Sequence, residues 1–347
     1  MVSLLSFIIV IGICVVSHEM GHYLMARWRG VQVHEFSFGM GPALWSRRKG
    51  ETLWAVRALP IGGFVRLEGM EGAEDVPNET DTPDPSRSFP VKKPWERFVI
   101  LAGGAFFNII LAWFLTAALL MFYGVMDFKT PVVGNVMPGY PAQQMGLQQG
   151  DRILSVGGMA VTEWGDIRKN LQLMKTEKVT VKLERAGQTL VFNATIPFSK
   201  KDNARLLGIQ PARVQYGFIG AFSHALTYCW QMSVEILKGF WMLITGTQKG
   251  EMAGPVGIAV MAGDAAKQGF WTFISFLAVI NLNLGLLNLF PFPALDGGRL
   301  IFVTGEMISG KKFPEVWENR IHYAGFMLLL ALIAMVTWKD LQRLFKL

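Results

Sequence analysis

His18 and His22 stand four residues apart in "HEMGH", so on a helix both imidazoles project to one side and could grip a single Zn2+. Glu19, next to His18, is placed to take a proton from water beside such a metal. A hydrolytic zinc needs three protein ligands and one open position, so a third donor is required. A histidine six residues after His22 would serve, but position 28 is Trp. The best candidate is Asp296 in "NLGLLNLFPFPALDGGRL". Pro291 and Pro293 there stop a helix, which frees backbone groups and lets Asp296 turn back toward the protein interior. An aspartate in that place is equally suited to capping a helix at an aqueous boundary.

The elements that must position these residues are apolar. Of the 347 residues, 51% are hydrophobic and 17% charged, well below the charged quarter of a soluble domain. Residues 2 to 26, 98 to 123, 270 to 291 and 320 to 338 are each long enough to cross a hydrocarbon core of about 30 Å. The first lacks a basic leader and a small-residue cleavage site, so it is expected to be an anchor, not a signal peptide. His18, Glu19 and His22 lie inside it, and ionisable side chains in a span are costly and functional by default. The net charge of +7 does not call for nucleic acid, because many basic residues, among them Arg27, Arg29, Arg47, Arg48, Arg66, Lys92 and Arg97, lie between the first two spans. The positive-inside rule places that stretch in the cytoplasm. Cys14 and Cys229 have no CxxC spacing and supply neither a disulfide framework nor a metal knuckle.

The expected fold is an α-helical polytopic membrane protein of four spans, with a membrane-associated β-sheet and an inserted α+β domain. Residues 1–129 hold two spans, a sheet over 31–67 and an acidic, proline-rich mobile loop over 69–94. Residues 130–197 carry β-type runs, and "PGYPAQQMGLQQGDRILSVGGMAV" within them resembles the core of a PDZ domain, a fold that adds a peptide to a sheet edge. Residues 198–269 form a connecting region. Its segment 218 to 245 places His224, Tyr228, Gln231, Glu235 and Lys238 in one stripe, which predicts a helix lying in the membrane interface. Residues 270–347 supply the last two spans. With the N-terminus outside, spans one and three deliver His18, His22 and Asp296 to one depth, which an extra span at 218 to 245 would prevent. About 15 apolar residues before His18 put the metal roughly 22 Å into the core.

"HEMGH" in the first span together with "NLFPFPALDGG" resembles the site-2 protease family of intramembrane zinc metalloproteases, and "LAGGAFFN" and "AGPVGI" resemble further motifs of that family. The likeness covers nearly the whole chain and is greatest to the bacterial regulator of sigma-E protease group, in a form with one PDZ domain. It implies Zn2+ held by His18, His22 and Asp296, and Glu19 as catalytic base. It also implies single-pass membrane protein substrates, of the anti-sigma factor or remnant signal peptide kind. The implied site is the bacterial cytoplasmic membrane, with the PDZ domain outside and the active site toward the cytoplasm. A substrate helix must be unwound before attack, and residues 53 to 67 offer an edge for the extended strand, with Gly62, Gly63, Phe64 and Val65 as contacts. Asn288, one turn before Pro291, could hold that strand or a developing oxyanion, or else join helices. His34, on a predicted strand without a partner at ligand spacing, is read as structural. The rival function is a metal carrier or sensor, which would have no use for Glu19 as a base.

Overall fold

The computed structural model describes residues 2–70, 83–174, 176–199, 204–247 and 253–345. It separates into two compact units, Met1–Ala117 with Phe222–Leu347, and Ala118–Ala221. The elements of the first unit open with α1 (Val2–Trp28), β1 (Val33–Lys49), β2 (Thr52–Leu67) and α2 (Pro94–Ala118). Among the described residues, four helical segments are long and apolar enough to cross a membrane: Val2–Trp28, Pro94–Tyr123, Phe270–Asn288 and Glu315–Phe345.

α1 and α2 meet where neither has a side chain. A Cβ on Gly21 would stand 2.2 Å from the Gly103 carbonyl oxygen, and one on Gly103 would strike Gly21 and Met25. Small residues let apolar helices approach this closely where no hydrophobic effect drives them together. The glycines of "LAGGAFFN" thus bring α2 directly under the two histidines.

β1 and β2 are each bent, and together they make four short stretches. Gly39 and Gly41, at φ +86° and +83°, turn β1 between its two halves. Glu35 to Phe38 pair with Arg66 to Gly63 on one side and with Leu53 to Val56 on the other, while Ala43 to Lys49 pair with Arg57 to Thr52. Residues 53 to 57 are therefore interior to the sheet. The edge expected over residues 53 to 67 is confined to 59 to 67, because the chain folds its own first half of β2 between two partners. The half-buried Arg57 secures the bend, donating to Glu35 Oε1, to Ser37 Oγ at 2.9 Å and to the Gly41 carbonyl at 2.7 Å. His34 is buried and pairs with Glu68 at 2.6 Å, a structural contact.

Of the mobile loop expected over 69–94, residues 71–82 lie outside the described residues. The described remainder is tied down: Pro85–Arg87 and Phe89–Val91 each make a 3-10 turn, Phe89 is buried, and Arg87 donates to Glu51 at the hairpin tip at 2.7 Å. The Arg87 guanidinium holds the Glu51 carboxyl below the usual range.

The second unit contains β3 (Val125–Met126), β4 (Val133–Val136), α3 (Pro141–Gln144), β5 (Arg152–Val156), β6 (Met159–Ala160), α4 (Trp164–Leu173), β7 (Lys178–Arg185), β8 (Gln188–Thr195), β9 (Phe198–Ser199), β10 (Ala204–Arg205), β11 (Ile209–Pro211) and β12 (Arg213–Val214). A four-stranded sheet in the order β6-β5-β7-β8 buries Ile153, Val156, Val179, Val181 and Leu183 against Ile167 and Leu171 of α4. The unit reaches beyond the expected 130–197, because β11 pairs with β4 and β12 with β3. These long-range strands are two or three residues each, too short to carry a period of their own. A cavity of about 270 Å3 opens between α4 and the β10–β11 stretch, lined in part by Met137, Tyr140, Trp164 and Leu207.

The first unit then resumes with α5 (Phe218–Ile244), α6 (Pro255–Lys267), α7 (Phe270–Asn288), α8 (Asp296–Ser309) and α9 (Glu315–Phe345). The five polar residues of α5 named above are all exposed. Its other face meets α2 and α7. Trp113 donates to the Phe222 carbonyl at 3.0 Å, and Cys229, Met232 and Ile236 pack with Ile109, Ala112, Leu282 and Leu286. Phe240 stacks on Phe290 with ring centroids 6.2 Å apart. α5 thus packs part of its apolar face on α2 and α7. An amphipathic stripe reports that one face is wet, and that holds equally for a helix on a bilayer and a helix on a bundle.

Candidate functional site

α1 carries His18 and His22 on one face, and α8 begins with Asp296 beside them. His18 Nε2 stands 3.1 Å from Asp296 Oδ2, His22 Nε2 stands 3.4 Å from the same oxygen, and the two Nε2 atoms are 3.2 Å apart. Donors about 2.0–2.1 Å from a tetrahedral zinc are separated by about 3.3 Å. The three atoms therefore already have the spacing that a zinc ion imposes. Asp296 Oδ2 is buried with no hydrogen-bond partner of acceptable geometry among the described residues, which suits an oxygen awaiting a cation.

Neighbours set the imidazoles for this task. His22 Nδ1 is 2.9 Å from the Ile100 carbonyl, which can only accept, so Nδ1 carries the proton and Nε2 keeps its lone pair. The Asn288 amide lies 3.4 Å from His18 Nδ1 and can fix the second ring in the same way when it presents its oxygen. Gly104 closes the floor: a Cβ there would stand 2.4 Å from His22 Nε2 and 2.7 Å from His18 Cε1.

Asp296 reaches the site through a tightly wound loop. α7 ends at Asn288, Ala294 adopts φ +77°, and α8 starts at Asp296. Cβ atoms on Gly297 and Gly298 would strike the Phe290 and Phe292 carbonyl oxygens at 2.0 and 2.5 Å, so only glycines allow the turn. Pro291 is exposed on that loop. α9 pins it from behind, since Ala294 N–H donates to His322 Nδ1 at 3.1 Å and Gly325 packs against Pro293. A histidine on the last apolar helix names no such partner by sequence alone.

The sheet edge arrives on the other side. Gly63 lies so close to α1 that a Cβ would meet Val15 Cγ1 at 2.8 Å and Glu19 Cγ at 3.2 Å. The Val65 backbone N–H is turned toward the Glu19 carboxylate. Gly62, at φ +75°, faces Met40, and Phe64 pairs with Ser37. The structure thus gathers His18, Glu19, His22, Asp296, Asn288, Gly63 and Val65 around one point; Gly62 and Phe64 meet Met40 and Ser37 instead, and Pro291 lies exposed on the loop after α7.

A helical protein with four span-length helices, a folded hairpin against the first and a two-histidine, one-aspartate cluster defines the class of membrane-embedded metallopeptidases. The pattern of peptidase family M50 matches residues 6–332, and the chain belongs to that family. A Fusobacterium nucleatum protein assigned by name to the zinc metalloproteases is 33% identical, with 97% of this chain and 98% of that one covered. A Clostridium perfringens protein named in the same way is 34% identical over 93% of this chain and 94% of its own. A solved PDZ domain of an SdrC-like protein from Listeria monocytogenes is similar to 24% of this chain and 90% of its own, at 17% identity and a TM-score of 0.21.

Proposed function

We propose that the protein is an intramembrane zinc endopeptidase that cuts single-pass membrane proteins within or near the span. The observation that carries this reading is the set of three donor atoms separated by 3.1, 3.2 and 3.4 Å inside an apolar helical bundle. His18, His22 and Asp296 hold the ion. Zinc in that place supplies Lewis-acid polarisation of the scissile carbonyl and lowers the pKa of the attacking water. Glu19 accepts the proton of that water and returns it to the leaving amide nitrogen, so that the peptide bond breaks into a carboxylate and an amine. The Val65 N–H keeps the Glu19 carboxylate aimed while it does so.

The substrate must lie as an extended strand between the sheet edge at 59 to 67 and the loop after Asn288, with Gly62, Gly63, Phe64, Val65 and Pro291 along it. Asn288 either steadies His18 or turns its amide to the developing oxyanion. Candidate substrates are anti-sigma factor-like proteins and remnant signal peptides in a bacterial cytoplasmic membrane, with the second unit outside and the metal toward the cytoplasm. The cavity beside α4 would seat a peptide end and so select or delay substrates. The test is metal analysis of the purified protein beside cleavage of a panel of single-pass substrates. One equivalent of zinc with cleavage abolished in Glu19→Gln supports the reading, and zinc without cleavage of any substrate sinks it.

A further inference from the structure

Asn108 is fully buried, and neither its Nδ2 nor its Oδ1 has a hydrogen-bond partner among the described residues. Asn281 on α7 is also fully buried; its Nδ2 donates to the Leu277 carbonyl at 2.9 Å, but its Oδ1 is likewise unmatched. Leaving such groups dry in an apolar interior is costly, so each asks for a ligand that can both donate and accept.

Their placement is ordered. Asn281, Gly285 and Asn288 follow one another at four and three residues on α7, all buried, hence on one face. Asn108 sits opposite the middle of that face, since its Cβ is 3.4 Å from where a Cβ of Gly285 would be. Asn288 ends the line, 3.4 Å from His18 Nδ1. One helical turn along α7 is about 6 Å. Two hydrogen bonds of about 2.9 Å meeting at the roughly tetrahedral angle of one water bridge polar atoms about 4.7 Å apart, a gap that side chains one turn apart can present and that a direct amide contact does not close.

We propose that Asn108 and Asn281 form a buried water site between α2 and α7, and that Asn288 connects it to the metal side. Given the hydrolase reading, this is a reservoir that replaces the water consumed at each cleavage without opening the bundle. Asn108 acts as a positioning residue, holding the water and not the substrate. Its amide offers two donors and an acceptor, and the Asn281 oxygen supplies a second acceptor, enough to fix one molecule in one orientation.

X-ray hydroxyl-radical footprinting of the full-length protein in lipid reads bound water directly. The side chains of Leu282, which is buried, and Ile109, which is half-buried, should be modified in the wild type because radicals form from the water beside them. Asn108→Leu should lose that modification at least about fivefold, keep its zinc, and lower kcat about tenfold with KM unchanged. Asn108→Asp, which still binds water, should retain the modification. Absence of modification at both residues in wild-type protein overturns the water site, and this outcome does not depend on whether any substrate is cleaved or whether Asn108→Leu folds. Unchanged modification and unchanged kcat in a folded Asn108→Leu protein also overturn it. Failure of the peptidase reading would show differently, as modified Ile109 and Leu282 in a protein that cleaves nothing.

Discussion

Asp340 of α9, buried, accepts a hydrogen bond from the Gly257 N–H at 2.7 Å, closing the first turn of α6. The approach is so tight that a Cβ on Gly254 would lie 2.8 Å from Asp340 Oδ2, which gives "AGPVGI" its glycines a physical reason. α6 in turn seats Gly263 on Ser3 of α1, and Ala262 shares a cluster with Val10 and Cys14. The carboxylate on the last helix therefore braces the helix that carries His18, Glu19 and His22. Asp340→Ala should lose the cap and about 1–2 kcal/mol of stability, read as a lower Tm, while Asp340→Asn retains an acceptor and most of that stability. Equal loss in both would mean that charge, and not capping, is what matters.

Replacing His18, His22 or Asp296 with Ala should each strip most of the zinc, since two remaining donors hold it poorly. Glu19→Gln should keep zinc and lose roughly 10^2–10^4-fold in kcat, because only the proton acceptor has gone. Gly104→Ala should behave as a ligand mutant although it donates nothing, because its methyl would displace both rings. Metal content by mass spectrometry separates Glu19→Gln from the others. A zinc-replete Gly104→Ala protein would mean that the histidines can move away without losing the ion.

Val65→Pro deletes the backbone donor that reaches Glu19. It should therefore lower kcat at normal zinc content with little change in KM. Phe64→Pro disturbs the stretch paired with Ser37 and should instead destabilise the sheet. Steady-state kinetics on a helical substrate decides between them. A rise in KM alone for Val65→Pro would return that donor to the substrate strand.

That His18 and His22 share one face was legible because a spacing of four has one meaning on a helix, whereas Asp296 stood open between metal ligand and helix cap until the fold brought it to the two rings. The sheet was legible as a sheet, but its edge was not: Gly39 and Gly41 fold β1 back, so residues 53 to 57 gain partners on both sides that no local pattern announces. His322 was hidden for a related reason, since its partner is the backbone of Ala294, which turns toward it only when the loop takes φ +77°. What covers the apolar face of α5 was hidden because hydrophobic stripes encode which face is covered and not by what.

The packing of α5 is open to a distance test. Phe240 and Phe290, whose rings are 6.2 Å apart, can be replaced by cysteines in a protein lacking Cys14 and Cys229. A short bifunctional thiol reagent should join them efficiently, whereas a pairing of position 226, which is exposed, with position 290 should give no product. Equal yields, or none at 240, would mean that α5 does not pack on the loop after α7.

In the second unit, Asp151 takes two hydrogen bonds from Arg185, at 2.7 and 2.8 Å, and one from the Gln148 N–H at 2.8 Å. Burial by itself would raise its pKa, but the guanidinium and the amide outweigh that and hold the carboxyl below the usual aspartate value. A carboxylate depressed in the folded state contributes stability that is fully present above its unfolded pKa of about 3.9 and is lost as pH falls through the folded value. Strands β5 and β7, which this pair joins, should therefore keep constant hydrogen-exchange protection from pH 7 down to about 5 and lose it progressively below about 4, after correction for intrinsic rates. Asp151→Asn should exchange faster at neutral pH and show a flatter acid dependence, because the titrating partner of Arg185 has been removed. Identical pH profiles in wild type and Asp151→Asn would show that other carboxylates of the unit, such as Asp127 or Asp166, govern its acid sensitivity instead.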